Sequence, residues 1–309
     1  MAALLVITYL AMAYIAARIV ISLYNILYPF VIGSPIDLRK RAGADWAVVT
    51  GATDGIGKAY AFQLAAKGFN ILLISRTQSK LDATKAEINN QSSTIQVRTE
   101  TFDFTTGDRN AYERLYIILD SIQIGILINN VGMCFEFPNV MHLAEGGTRF
   151  LGDITICNSL PPVLMSAAVL PQMTSRRAGI IVNISSGAAR NEMPFWNVYS
   201  ATKRFVLHLS EILRQEYAPL GVTIQTVAPH VVETKMAMWK AGFFGPPADK
   251  FVKEAIRSIG LIGHTTGCLA HQIQAEGLGI VPQFIVQKVV SVQAEKIRSD
   301  VLRSRVQTH

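Results

Sequence analysis

Cysteine is scarce in this chain of 309 residues: Cys134, Cys157 and Cys268 lie far apart and form no CxxC pair. Three scattered thiols exclude a disulfide framework and a cysteine–histidine metal site, and they fit a reducing compartment. Charged residues are also few, 17% against 50% hydrophobic, and the mean hydropathy is +0.29. Such a balance lies on the apolar side of ordinary cytosolic enzymes and points to contact with lipid or a large apolar ligand. No basic helix, zinc spacing or aromatic RNA platform is present, which excludes a nucleic-acid module. A G-x-S-x-G elbow is missing too, which sets aside an α/β hydrolase. The excess of base, a net +7 with a pI near 9.4, suits an anionic partner: a phosphate-bearing cofactor, an acyl-CoA or an anionic membrane face. A solvated surface accounts for it equally well.

The chain opens on a stretch without charge, from Ala2 to Ala17, which resumes after Arg18 from Ile19 to Gly33. A helix from about Leu4 to Leu27 is long enough to cross a hydrocarbon core of about 30 Å. Arg18 would cost roughly 2.5–3.5 kcal/mol at the bilayer centre, so it is expected near an interface. Tyr24 and Tyr28 suit headgroup level. A cleaved signal peptide is the alternative, given Ala11-Met12-Ala13, but a basic leader is missing. Arg39-Lys40-Arg41 follows the span, and the positive-inside bias then puts the rest of the chain in the cytosol. The expected division is a membrane anchor over 1–33, a linker over 34–44, a catalytic domain over 45–274 and an amphipathic extension over 275–309.

Beyond the linker, short apolar runs alternate with helical patterns. Extended segments are expected at Trp46 to Thr50, Phe69 to Ser75, Ile95 to Phe102, Ile124 to Asn129, Gly179 to Ile184 and Val222 to Ala228. Helices are expected at Ile56 to Lys67, Thr77 to Asn90, Arg109 to Ser121, Gly147 to Met173 and Phe195 to Tyr217. Continuous apolar strands between amphipathic helices imply a Rossmann-type, doubly wound parallel α/β sheet covered on both faces. Ligands on such sheets bind beyond the carboxyl ends of the strands.

Thr50-Gly51-Ala52-Thr53-Asp54-Gly55-Ile56-Gly57 follows the first strand and runs into a helix. Glycines there let a turn and a helix N-terminus approach a pyrophosphate closely, and the helix end offers N–H groups to it. A P-loop is excluded, because Lys58 is followed by Ala59 and not by a hydroxyl residue. The second strand ends in Ser75-Arg76. An acid at that point would hold a ribose 2′-hydroxyl, whereas Arg76, with Lys58 nearby, favours a 2′-phosphate and thus NADP(H).

Tyr199 and Lys203 stand four residues apart and share one helix face. A phenol with a pKa of about 10 is a poor acid–base group at neutral pH. An adjacent ammonium stabilises the phenolate and is expected to bring that value down. Ser186, thirteen positions before Tyr199 at a strand end, can bond a carbonyl oxygen beside the phenol. Pro162 has no N–H for the Asn158 carbonyl, four residues back, which frees that oxygen for a water. A simple helix kink is the other explanation.

These segments, with Asn129-Asn130-Val131-Gly132 and Pro229-x-x-Val232-x-Thr234, resemble the short-chain dehydrogenase/reductase family over about Asp45 to Met236. The likeness is strongest to its membrane-bound branch of 17β-hydroxysteroid dehydrogenases and very-long-chain 3-oxoacyl-CoA reductases. It rests on Thr50 to Ala59, Ile128 to Gly132 and Tyr199-Ser200-Ala201-Thr202-Lys203. The resemblance implies an NADPH-dependent oxidoreductase of the endoplasmic reticulum membrane, without a metal, that reduces the keto group of a steroid or an acyl-CoA. It implies Tyr199 as proton donor, Lys203 on the nicotinamide ribose, Ser186 on the substrate oxygen and Asn158 in a proton relay. Gly51, Thr53, Asp54, Gly55, Ile56, Gly57, Arg76, Asp103, Asn130, Val232 and Thr234 would contact the cofactor. A homodimer is left open, and a silent cofactor-binding paralogue is the competing class.

Two departures stand out. The usual Pro-Gly after the sixth strand is Pro229-His230 here, and the terminal Val306-Gln307-Thr308-His309 carries no dilysine signal. Lys235 to Val252, with Met236, Met238, Trp239, Phe243 and Phe244, falls where the family has a substrate lid; apolar residues there suit a large apolar substrate or ordinary core packing. Gly277 to Val290 is apolar and continues into a basic stretch, the pattern of a helix lying on a bilayer or of a surface helix. Asn90-Gln91-Ser92 is a glycosylation sequon. With the domain in the cytosol, Asn90 stays unmodified in the native host, and endoglycosidase leaves the electrophoretic mobility unchanged; a glycan on Asn90 would place the domain in the lumen.

Overall fold

The computed structural model describes residues 1–236 and 242–307. Seven strands form one wholly parallel sheet: β1 (Trp46–Thr50), β2 (Asn70–Ser75), β3 (Val97–Thr101), β4 (Ile124–Asn129), β5 (Gly179–Ile184), β6 (Val222–Val227) and β7 (His264–Thr265). Their order across the sheet is β3-β2-β1-β4-β5-β6-β7. The order reverses between β1 and β4, and a crevice opens there at the carboxyl ends. Side chains alternate between two cores: Ala47 and Val49 face one, Trp46 and Val48 the other. Every residue of β1, β4 and β5 is buried, as a sheet covered on both faces requires. β3 is an edge strand, and its Arg98 and Glu100 keep that edge polar.

The α-helices are α1 (Ala2–Leu27), α2 (Leu38–Ala42), α3 (Gly55–Ala66), α4 (Gln78–Gln91), α5 (Arg109–Asp120), α6 (Gly147–Ser175), α7 (Asn197–Tyr217), α8 (Ala248–Arg257), α9 (Leu269–Ile280) and α10 (Gln283–Gln307). The first core is closed by α3, α4 and α8, the second by α5 and α6 with part of α7. Buried amides stitch α6 and α7 to the sheet. Asn129 on β4 donates to Asn183 on β5 at 2.8 Å and to Ser166 on α6 at 3.2 Å. Asn183 donates in turn to Ser210 on α7 at 2.9 Å, and the Ser185 hydroxyl donates to the Lys203 carbonyl at 2.7 Å. These bonds run between different elements, so the position of α7 against the strand ends is fixed.

α1 has no buried residue and, with the π-turn Tyr28–Ile32, is apolar and long enough to cross a membrane. The stretch read as a linker is structured. Asp37 caps α2 by accepting from Lys40 N at 3.1 Å, and Gly43 ends it in the left-handed region at φ 63°. Arg39 then bonds the Gly68 carbonyl and Asp45, each at 2.6 Å. Arg257 of α8 holds the carbonyls of Val31 and Gly33 at 3.3 and 3.2 Å. α1 therefore joins the domain through docked chain.

Two features differ from the sequence expectation. β7 has only two residues, too short for any alternation to show. The apolar run Gly277 to Val290 is not one helix: α9 ends at Ile280, Val281 is extended at ψ 133°, and α10 begins after Pro282. A residue before proline is pushed out of the helical region, and proline lacks the N–H that would continue the ladder.

Candidate active site

The glycine turn hangs from the carboxyl end of β1. Gly51 sits at φ +65° and Gly55 at φ +51°, where a side chain would be strained. A Cβ on Gly57 would lie 2.3 Å from the Gly51 carbonyl and 2.4 Å from Asn130 Nδ2, so the turn and α3 are as close as backbone allows. Thr50 Oγ1 accepts from the backbone N–H groups of Asn130 and Val131 at 3.0 and 3.1 Å. Asn130 Nδ2 donates to the carbonyls of Thr50 and Gly51 at 3.0 and 3.3 Å. Thus the loop after β4 braces the loop after β1 across the switch in strand order. Thr234 reaches the same place from the loop after β6, its Cγ2 2.9 Å from where a Gly55 Cβ would sit, while Val232 is buried beside it.

Charged residues around the turn are sorted by their partners. Asp54 caps α3, accepting from Gly55 N at 2.8 Å, and pairs with Lys235 at 2.9 Å. That pairing offsets an acid at a helix end otherwise suited to phosphate. Thr53 and Ser75 share a hydrogen bond of 3.0 Å. Lys58 pairs with Glu87, 2.9 Å away on α4. Arg76 is exposed and has no hydrogen bond or ion pair among the described residues. Asp103 is exposed after β3 and accepts from the backbone and hydroxyl of Thr105 at 3.0 and 2.9 Å.

Next to the turn lie the residues of α7 and the end of β5. Ser186 accepts from Ala188 N at 3.1 Å, capping the short 3-10 turn Gly187–Ala189. Lys203 is buried, and its Nζ donates to the Ile184 carbonyl at 3.1 Å. The ammonium stands 5.9 Å from the Tyr199 ring centre. A Cβ on Gly132 would meet both Asn158 Oδ1 and Lys203 Nζ at 3.2 Å, so this glycine admits the lysine to the crevice. Asn158 is also buried: its Oδ1 accepts from Met133 N at 2.7 Å, and its Nδ2 donates to Met133 O and Thr202 Oγ1, each at 3.0 Å. Its side chain fixes the β4 loop to α7. Its backbone carbonyl, opposite Pro162 inside the unbroken α6, receives no N–H from that residue and can take a water.

Electrostatics here run against one expectation. Burial lowers the Lys203 ammonium from 10.5 to about 8, with the neighbouring Cys157 and Cys134 thiols acting the other way. Burial likewise raises the Tyr199 phenol above its ordinary value of 10.0; Cys134 adds to the rise and a bond from Ser186 opposes it. The anticipated lowering of the phenol by Lys203 is absent, since the ammonium faces the Ile184 carbonyl and not the phenol oxygen. Tyr199 is therefore a neutral O–H at neutral pH, the form that gives a proton.

His230 packs on the turn beyond Ser186, its Nδ1 2.7 Å from where a Gly187 Cβ would be. It meets His271 edge-on at 5.6 Å. Burial, then His271 and Arg190, push its pKa down to about 4, so it is neutral at pH 7. Met238 and Trp239 of the expected lid lie outside the described residues, while Phe243 and Phe244 form an exposed edge-on pair at 4.9 Å. The residues missed in the sequence are Thr50, Cys134, Ser185 and Thr202. Thr50 and Thr202 stand inside the quoted motifs, yet their bonding to other loops had no local signal.

The short chain dehydrogenase family model matches residues 45–241. A very-long-chain 3-oxoacyl-CoA reductase of Caenorhabditis elegans is 52% identical over 298 residues, covering 96% of this chain and 94% of the relative. A second protein of that nematode, named as a candidate steroid dehydrogenase, is 48% identical over 275 residues, or 89% of this chain and 88% of the relative. Among solved structures, a short-chain dehydrogenase from Sphingobium yanoikuyae in complex with NADPH superposes with a TM-score of 0.59 at 29% identity, over 66% of this chain and 80% of that one.

With its folded value near 8 and its ordinary value at 10.5, Lys203 binds fewer protons in the folded chain than in the unfolded one across that window. Stability consequently rises with pH from about 8 to about 10.5 on its account. Its grip on an anionic or hydroxyl-bearing ligand runs oppositely. Affinity for a reduced nicotinamide dinucleotide, followed by fluorescence titration, is expected to fall as pH passes about 8, and Lys203→Met to abolish that step. An affinity flat from pH 7 to 9 in the unsubstituted chain would contradict it.

Proposed function

This chain belongs to the short chain dehydrogenase family, and from that premise we propose that it is a membrane-anchored, NADPH-dependent reductase of 3-oxoacyl-CoA. Membership makes it a keto-reducing oxidoreductase. The finer assignment rests on the single cluster that brings Ser186, Tyr199 and Lys203 beside the glycine turn.

The crevice fits a dinucleotide. Gly57 leaves no room for a side chain at the turn, the α3 N-terminus faces outward with its N–H groups, and Arg76 offers an unpaired guanidinium for a 2′-phosphate. Lys203 Nζ has one protein acceptor among the described residues, Ile184 O, so its remaining N–H groups are available to ribose hydroxyls. When bound, NADPH supplies the hydride. Ser186 Oγ orients the ketone oxygen against Tyr199, and the neutral phenol gives that oxygen its proton as the carbon gains the hydride. The tyrosinate so formed is reprotonated through water, for which the free carbonyl of Asn158 is a holding point. Lys203 acts on the ribose and not on the phenol, since its ammonium faces the Ile184 carbonyl. Asn130 acts on the turn's shape, and Val232 and Thr234 close its far side.

The acyl-CoA reading is supported by the 52% identical nematode reductase and by the net charge of +7, which suits a polyphosphorylated substrate. The 48% identical candidate steroid dehydrogenase keeps a ketosteroid as the second reading. A silent paralogue is disfavoured by the intact Ser186, Tyr199 and Lys203. The exposed, apolar length of α1, which carries Arg18 as its one charge, supports anchoring in a membrane, and Arg39-Lys40-Arg41 behind it supports a cytosolic domain. Placement in the endoplasmic reticulum follows from the likeness to the membrane-bound branch.

NADPH consumption by the purified full chain, offered long-chain 3-oxoacyl-CoA and a 17-ketosteroid in turn, checks both substrate classes; the thioester is turned over faster. Tyr199→Phe lowers turnover about 10²–10⁴-fold while leaving NADPH affinity unchanged. Full activity in that variant would remove the catalytic assignment.

A further inference from the structure

From Leu269 to Gln287 the chain has a single formally charged side chain, Glu276. Its carboxylate is taken up by the anchor helix: Asn25 Nδ2 of α1 donates to Glu276 Oε1 at 3.1 Å, and Gln272 Nε2 of α9 donates to the same oxygen at 2.8 Å. A second contact lies further along, where Arg18 Nη2 comes within 4.0 Å of a Cβ placed on Gly279. Asn25 and Arg18 are about 10 Å apart along α1 at 1.5 Å per residue. α9 therefore runs down the anchor, away from the catalytic domain, and ends at the level of Arg18.

The chain turns there at Pro282, and the turn is apolar and open. Ile280 is 82% exposed, Phe284 71% and Val292 58%. Val281, Ile285 and Val289 are exposed with them. A contiguous patch of this kind marks an interaction site. What covers it is indicated by its neighbour, because the patch continues the bare apolar surface of α1, which has no buried residue. Whatever solvates the anchor at the level of Arg18 also reaches Ile280 and Phe284. From Lys288 onward α10 becomes basic and returns to the domain. There Arg298 bonds Asn139 at 2.9 Å, and Arg305 pairs with Glu145 and Glu136.

We propose that the α9–α10 corner is a second membrane element, a wedge lodged at the headgroup–acyl boundary of the leaflet that holds the domain-proximal half of α1. The inference rests on the membrane reading of α1. Asn25 and Gln272 together allow it, by donating to the Glu276 carboxylate as it approaches the apolar layer. The wedge depth is interfacial, since Gln283 bonds Glu192 at 2.8 Å and Gln287 bonds the same carboxylate on the opposite face of the turn. Glu192 lies in the loop between Ser186 and Tyr199, and the Phe244 backbone lies beside His271 of α9. The catalytic mouth thus opens at the lipid surface, where an apolar ketone is concentrated.

The test places an environment-sensitive fluorophore at single positions of the full chain in phosphatidylcholine–phosphatidylserine nanodiscs, using Met12→Cys, Ile280→Cys, Phe284→Cys and Ile117→Cys. The unsubstituted chain supplies the background from its own thiols. The expected result is blue-shifted emission and loss of fluorescence with nitroxide-bearing lipids at positions 12, 280 and 284, and neither at 117. Quenching at 12 with water-like emission at 280 and 284 overturns the wedge. So does emission at 280 and 284 that is shielded from both water and nitroxide, as a protein partner or second copy would produce. A probe at 12 that escapes the nitroxide overturns the membrane reading of α1 and the wedge with it.

Discussion

A buried ammonium has to be surrounded by fixed dipoles, and the position of Lys203 sets most of what the site is. Moving a lysine out of water costs several kcal/mol unless acceptors receive it. The Ile184 carbonyl at the end of β5 is the acceptor in place, and it can serve only if α7 is held against the strand ends. Ser185, Asn183 and Ser210 supply that hold through side-chain bonds between sheet and helix, and Thr202 adds a bond to Asn158 on α6. Once α7 is seated, Tyr199 one turn earlier points into the same crevice with no further adjustment. Gly132 completes the geometry by staying out of the way.

Burial of this cluster also decides its protonation. The sequence shows a phenol and an ammonium four residues apart and suggests that one ionises the other. In the fold both lie in a dry environment, which disfavours charge on either group. The lysine is pulled toward neutrality and the tyrosine is kept protonated. A proton donor for reduction needs the second condition, while a cofactor that brings its own anionic charge restores the first. Binding and acid strength are in this way coupled through one desolvated pocket.

How much of this was legible beforehand depended on the range of the signal. Six strands were readable, most sharply β1, β4 and β5, which print their burial on every residue and agree to the residue with their expected bounds. β7 was invisible because two residues carry no period. The glycine turn and the Tyr199–Lys203 spacing were local patterns, so they survived translation into three dimensions. Asn130 and Asn158 were also singled out, yet their side chains act on the loops themselves, a role set by partners that lie 25 to 80 residues away. Lys58, which follows the glycine turn, pairs with Glu87 on a neighbouring helix, a partner with no local signal in the sequence. The docked linker and the break at Pro282 likewise depended on tertiary contacts and one backbone constraint.

The neutrality of the Tyr199 phenol carries the catalytic account, and it can be read directly. Tyrosinate absorbance of the cofactor-free chain is titrated with pH, and the curve of Tyr199→Phe is subtracted from that of the unsubstituted protein. The account predicts no difference between the curves until the pH is above the ordinary phenol value of 10.0. A difference step near neutral pH would show an ionised phenol, and the burial argument would fail.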